Sequence, residues 1–316
     1  MKLKQLIYGV ATFVPGINQF RSKGTGGTDT ARYCYSVWLR HLIMAKKNGL
    51  DPYPKIVAEL GPGDSLGIGL AALISGCEKY FAFDVVEHAN VARNLKIFDE
   101  LVVLFKNRTP VPGDEEFPNV KPYLEKYDFP TDIFDETRLQ LALSKPRIEK
   151  IRISISSFQE KESLIKYKVP WNDAACLEEE TVDMIYSQAV LEHVDNLTGT
   201  YRTMYAWLKP TGYISHQIDF KCHGTATEWN GHWAYSDLMW KLIRGKRHYL
   251  INREPHSTHV KNLTEAGFRV LCDNKIMSKS SLCASDLAPR YKSMSDEDLT
   301  ISGTFIQGVK AISSIE

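Results

Sequence analysis

The sequence predicts a doubly wound α/β fold carrying a seven-stranded sheet. Two observations carry that expectation. Short apolar runs of buried-strand length alternate along the chain with stretches of helical periodicity. The first of those runs is broken by a glycine-rich turn that opens a helix, and an acid stands at the end of the second run. With 316 residues the chain has room for one large domain with insertions. Hydrophobic residues at 43% and charged residues at 24% are enough for a packed core.

The elements follow in order. Residues 1–50 read as a helical N-terminal cap. Its start, MKLKQLIYGVATFVPGINQF, has a basic stretch and an apolar run, as a signal peptide does. Gly9 interrupts that run, Pro15-Gly16 ends it and no small-x-small cleavage site follows, so a packed helix is expected. A loop from Lys23 to Thr28 leads to ARYCYSVWLRHLIMAKKNGL, where Tyr35, Trp38, Leu39 and Leu42 recur at helical spacing and Asn48-Gly49 closes the helix. Residues 51–316 then form the main domain. Its first strand is Lys55–Leu60, the turn Gly61–Gly67 follows, and a second strand runs to Asp84-Val85-Val86.

Residues from about 90 to 160 are polar and carry Pro110, Pro112, Pro118, Pro122 and Pro130, which reads as an inserted, mostly helical excursion. The third strand is expected at 163–169 and the fourth at 182–187. A helix through Tyr201–Leu208 comes next, then a Lys209-Pro210-Thr211-Gly212 turn and a fifth strand at 213–219. A second insertion, about 221–255, is rich in His and Trp. A helix at 259–267 and strands at 268–271 and 303–310 complete the sheet. The two insertions are expected to build the acceptor side.

The composition excludes several function classes. Lys+Arg 39 against Asp+Glu 38 gives a net charge of +1, which argues against a nucleic-acid partner. The six cysteines, Cys34, Cys77, Cys176, Cys222, Cys272 and Cys283, form no CxxC pair, which fits free thiols in a reduced, cytoplasmic protein. No run approaches the roughly 20 apolar residues of a spanning helix.

The turn is the main functional signal. Gly61 and Gly63 let a ligand approach the backbone, the following helix offers its N-terminal amides, and Asp84 suits ribose hydroxyls. A nicotinamide enzyme would share these features. Its G-x-G-x-x-G fingerprint fails here, because Leu66 holds the third glycine position and Gly67 comes one residue late. Glu59, just ahead of the turn, would repel a pyrophosphate and attract a cationic ligand.

From Glu59 to Gly67 the chain resembles motif I of the class I S-adenosylmethionine (SAM)-dependent methyltransferases, with Ser65 in place of the third glycine. Asp173-Ala174 resembles the adenine-contacting pair of that family. Residues Val182–Val194 resemble its strand-four motif, Trp207–Gly212 the turn before strand five, and Leu263–Phe268 the approach to strand six. The resemblance spans about residues 55–310 and implies a Rossmann-like methyltransferase sheet with SAM as cofactor. It places Glu59 and Gly61 at the methionine moiety, with Gly63 in the same turn. Asp84 falls at the ribose, Asp173 at the adenine, and Gln188 beside the cofactor. For Asp173 an ordinary turn role competes.

Methyl transfer to a hydroxyl gains from a nearby base. His223 is the first candidate, with Asp219 as its orienting partner, and His193 is the second. Packing or local hydrogen bonding is the alternative role for each imidazole. His216, Asp219, His223 and His232 are all possible metal ligands, but their spacing matches no defensible site, so no metal is expected. Trp229, His232 and Tyr235 belong to an aromatic, polar stretch that suits a sugar-like acceptor or, equally, a buried brace. Arg253 could bind an acceptor phosphate or carboxylate. Arg21, Lys23 and the Gly24–Gly27 turn could do the same.

The stretches GTGGTDTARYCYSVWLRHL, GHWAYSD and Leu287–Tyr291 resemble methyltransferases of bacterial surface-polysaccharide and glycan gene clusters. That implies methylation of a sugar or glycan-precursor hydroxyl. An N-methyltransferase of a small phosphorylated amine and a non-catalytic SAM-binding scaffold are the alternatives, with the oxidoreductase weaker. The oligomeric state is not legible.

Overall fold

A computed structural model describes residues 3–14, 27–88, 90–171, 173–247, 250–280 and 282–311. Seven strands form one sheet in the order β3-β2-β1-β4-β5-β7-β6. Strand β1 (Ile56–Leu60) lies between β2 (Lys79–Phe83) and β4 (Val182–Gln188), parallel to both, and β3 (Ile165–Lys168) is parallel to β2. β5 (Leu208–Asp219) is parallel to β4. β7 (Ile301–Lys310) then inserts antiparallel between β5 and β6 (Phe268–Met277). The chain moves outward from β1 to β3 and returns at β4, so the switch point lies between β1 and β4, where an open α/β sheet binds its ligand.

Helices cover both faces. On one side lie α2 (Ala31–Lys47), α3 (Gly67–Ile74), α4 (Val91–Lys106) and α6 (Lys145–Ser156), sharing a core with Val57, Tyr80 and Tyr186. On the other lie α7 (Leu197–Trp207) and α9 (His256–Glu265), packed with Ala58, Leu60 and Ile214. Strand alternation explains the split: Val57 and Glu59 point to the first face, Ala58 and Leu60 to the second. Helix α3 lies close to β2 because Gly69 has no side chain. A Cβ there would come within 2.0 Å of the Tyr80 ring.

The cap expected over residues 1–50 divides in two. Helix α2 is a buried layer of the main core. Thr30 caps it, Trp38 Nε1 donates to Ser75 Oγ at 2.9 Å, and buried Arg40 donates to the carbonyls of Pro112, Val120 and Pro122. Helix α1 (Leu3–Ala11) instead packs on α8 (Asp237–Arg244) of the second insertion, with Lys246 N donating to Thr12 Oγ1 at 2.8 Å. Arg21, Lys23 and residues 24–26 lie outside the described residues.

The first excursion also differs from its expected outline. Its opening residues form α4, a full layer helix against α2 and α3. The irregular part begins only after Lys106, before α5 (Glu136–Ala142) and α6. Among the described residues no helix is long and apolar enough to cross a membrane.

Candidate active site

The carboxyl ends of β1, β2, β4 and β5 carry most of the residues singled out in the sequence. The β1 turn is held from below. Gly61 N donates to Phe83 O at 2.8 Å, and Gly61 and Gly63 take φ of +65° and +72°, a region that side chains disfavour. Asp84, at the tip of β2, reaches back across this turn. One carboxylate oxygen accepts from Gly63 N at 3.3 Å and the other from Val85 N at 2.7 Å. Burial raises the Asp84 carboxyl above its ordinary range.

Glu59 stands near the end of β1, beneath the turn. It is 2% exposed and accepts hydrogen bonds from the hydroxyls of Tyr80 and Tyr186, beneath the turn. Burial pushes its carboxyl up to about 8, against the pull of the two tyrosine hydrogen bonds. It therefore supports the turn from inside the core.

Asp173 caps the short 3₁₀ turn Ala174–Cys176, accepting from Ala175 N at 2.9 Å. This segment adjoins the tip of β2, since Trp171 N donates to Asp84 O at 2.7 Å. Gln188 ends β4, and its Oε1 is buried with no hydrogen-bond partner among the described residues. The set fits a nucleoside carrying an amino acid. It offers a glycine turn with room for a backbone approach, a carboxylate at the β2 tip and an unpaired amide oxygen at the β4 tip.

The chain leaves β4 through a strained turn. Ala189 has φ +55°, Val190 follows, and Leu191–His193 form one 3₁₀ turn. Asn252 clamps that turn, its Nδ2 donating to Leu191 O at 2.9 Å and Val194 O at 2.8 Å. It directs His193 toward His223, with ring centroids 5.1 Å apart. His223 itself has φ +45°, and its Nε2 is 3.5 Å from Asp219 Oδ2. Burial pushes Asp219 up, but His223 and Lys221 outweigh it and hold the carboxyl below its usual value. Burial, with His223 adding to it, lowers His193 to about 4, so this imidazole is neutral near pH 7.

His216 stands apart from this group. It is fully buried within β5 and bonded through Nδ1 to Ser187 Oγ at 2.8 Å. The second insertion forms a packed aromatic wall. Trp229 Nε1 donates to Lys279 O, Tyr235 Oη donates to Thr225 O, and buried His232 lies against the Trp233 ring at 4.6 Å.

Arg253, expected to meet an acceptor anion, is 3% exposed and occupied internally. It donates to the carbonyls of His232 and Tyr235 and to Asp237, between the rings of Trp240 and Tyr291.

Glu192 was not singled out in the sequence. It is 2% exposed and both of its carboxylate oxygens lack a hydrogen-bond partner among the described residues. Its signal was present in Leu191-Glu192-His193, but nothing in one sequence says that this glutamate turns inward. Asn252 was visible only as part of a polar run before Pro255.

A family profile described as a methyltransferase domain matches residues 38–273. No protein of curated function matches the sequence. Among solved structures, the chain is similar to a SAM-dependent methyltransferase from Mesorhizobium loti at 13% identity, covering 81% of this chain and 90% of that one with a TM-score of 0.40. It is also similar to phosphoethanolamine N-methyltransferase 2 of Haemonchus contortus in complex with SAM. That match has 13% identity, covers 90% of this chain and 58% of that one, and has a TM-score of 0.43. A third likeness, to the CurJ carbon methyltransferase, has 15% identity over 92% of this chain and 56% of that one, with a TM-score of 0.39. With the profile spanning most of the sequence, the seven-stranded sheet and the glycine turn have their explanation: the chain belongs to the class I SAM-dependent methyltransferases.

Proposed function

We propose that this enzyme methylates a hydroxyl of a sugar or glycan precursor in the cytoplasm. The observation that carries the reading is the His223–Asp219 pair, 3.5 Å apart beyond the carboxyl end of β5 and beside His193. A hydroxyl is a poor nucleophile until its proton has somewhere to go, whereas a free amine has no such need.

When bound, SAM supplies a methyl group activated by its sulfonium. Gly61, Gly63 and Asp84 would hold it across the β1–β2 tips, with Glu59 beneath the turn at the methionine end, Gln188 beside it and Asp173 toward the adenine. The acceptor oxygen forms its new bond to carbon as the carbon–sulfur bond breaks, and its proton passes to His223. Asp219 orients that imidazole and stabilises the imidazolium, with His193 as the second candidate base. The 221–255 insertion forms the acceptor side, where half-buried Trp229 offers a flat ring for sugar C–H faces and His232 and Tyr235 shape the wall. Arg253 acts there by holding that wall together.

A panel of nucleotide sugars with methyl-labelled SAM tests the reading. His223→Ala is expected to lower kcat by roughly 10²- to 10⁴-fold while leaving SAM affinity within about twofold. Transfer to an amine that proceeds at the wild-type rate in this variant would overturn the hydroxyl acceptor.

A further inference from the structure

We propose that Glu192, His193 and His223 form a binding site for one first-row divalent transition-metal cation, placed to hold the acceptor oxygen. One ligand atom from each residue lies within 4.8 Å of the others. Ligands around one tetrahedral ion, each about 2.1 Å from it, are about 3.4 Å apart, so binding draws the widest pair of this set in by up to about 1.4 Å. His223 sits in a half-exposed loop that can supply the shift.

A second, independent observation points the same way. The Glu192 carboxylate is buried with both oxygens unpaired among the described residues, and one of them lies 4.0 Å from His193 Nε2. His193 Nδ1 is likewise buried without a partner among the described residues. A buried carboxylate with no hydrogen bond is costly, and a cation removes that cost. One carboxylate with two imidazoles suits Zn²⁺, Mn²⁺ or Fe²⁺ rather than Mg²⁺, which favours oxygen and water. Asp219, next to His223, supplies the outer carboxylate that metal-bound imidazoles usually have.

The location sets the job. The three residues follow β4 and β5, and Val190, two residues before Glu192, abuts Gly61 of the cofactor turn. A cation there faces the acceptor side. Its use in catalysis rests on the hydroxyl acceptor proposed above and replaces the His223 base step: a cation held there would bind the acceptor oxygen and lower its pKa, with Asp219 taking the proton. The site itself stands on the geometry.

The test is calorimetric titration of chelator-stripped full-length protein with Mn²⁺ and, separately, Zn²⁺, in the absence of SAM, with Mg²⁺ as the comparison. The expected result is one equivalent of Mn²⁺ or Zn²⁺ per chain, with affinity at least tenfold weaker in Glu192→Gln and in His223→Ala. Thermal melts verify that both variants are folded, and the Mn²⁺ electron-spin signal reports nitrogen ligation. No binding by the stripped wild type, or binding that both variants retain, overturns the site. Full activity after stripping, together with loss in His223→Ala, would leave the base mechanism standing without a metal. Metal binding with no hydroxyl methylated would do the reverse.

Discussion

Gly61 and Val190 meet so closely that a Cβ on the glycine would come within 2.6 Å of Val190 Cγ2. This contact joins the cofactor turn after β1 to the strained turn after β4. With φ at +65° as well, Gly61→Ala carries both backbone strain and a clash. The variant is expected to lose about 2–4 kcal/mol of stability and at least tenfold in SAM affinity. Gly61→Ala combined with Val190→Ala should regain the part due to the clash. Denaturant melts and SAM calorimetry measure both. A Gly61→Ala protein that melts and binds like wild type would remove the cradle from the account.

Glu59 makes stability fall as pH rises. Burial raises its folded pKa to about 8. Between the unfolded value, about 4.3, and 8, the folded state holds the extra proton. Stability therefore decreases with pH through that window, with a slope of at most about 1.4 kcal/mol per unit from this group. Glu59→Gln removes that contribution. Urea midpoints from pH 5 to 8 should be flatter in the variant, and parallel curves for the two proteins would refute the assignment.

His41, His216 and His259 act in the opposite direction. All three are fully buried, and burial lowers each to about 3. The unfolded chain takes up their protons near pH 6.5 while the folded chain does not, so stability is lost as pH falls from 6.5 toward 3. Each contributes a slope of up to about 1.4 kcal/mol per unit. His259→Asn should reduce the acid-side slope by about one such step, even though it also loses the contact with Tyr201. An unchanged slope would mean that His259 is already charged in the fold.

Arg253 and Asp237 are expected to behave unequally. Removing Arg253 to Ala leaves the Tyr235 carbonyl without its donor, takes one of two donors from the His232 carbonyl and empties the space between two rings, which should cost about 3–5 kcal/mol. Asp237 is mostly exposed, and Asp237→Asn should change stability by less than about 1 kcal/mol. SAM affinity should hold in both. If Arg253→Lys keeps its melting temperature but raises acceptor KM tenfold or more, the arginine meets the acceptor after all.

The sheet is legible because its parallel strands are short and mostly apolar, with acids such as Glu59 and Asp183 set among buried residues at Ile56–Leu60 and Val182–Gln188. The edge strand β6 runs beyond its expected end at residue 271. β6 continues to Met277, but its second half, Asp273-Asn274-Lys275, is polar on an open edge and carries no burial pattern. The expected turn at Lys209–Gly212 lies inside β5, where pairing shifts from Val182↔Leu208 to Met184↔Tyr213 around Thr211, which has φ +71°. Turn chemistry was read correctly there, but it serves a bulge. In the site, glycines and strand-end acids were visible because backbone geometry demands them. The inward turn of Glu192 depends on Asn252, sixty residues away, and no local pattern encodes it.

The strand order carries a consequence for biogenesis. β6 is synthesised before β7, yet β7 is its neighbour in the sheet and also its bridge to β5. Until about residue 310 has left the ribosome, β6 has no hydrogen-bonding partner and β5 keeps an open edge. Nascent chains stalled in that interval should engage chaperones and be sensitive to protease at 268–277, then become resistant once ten more residues emerge.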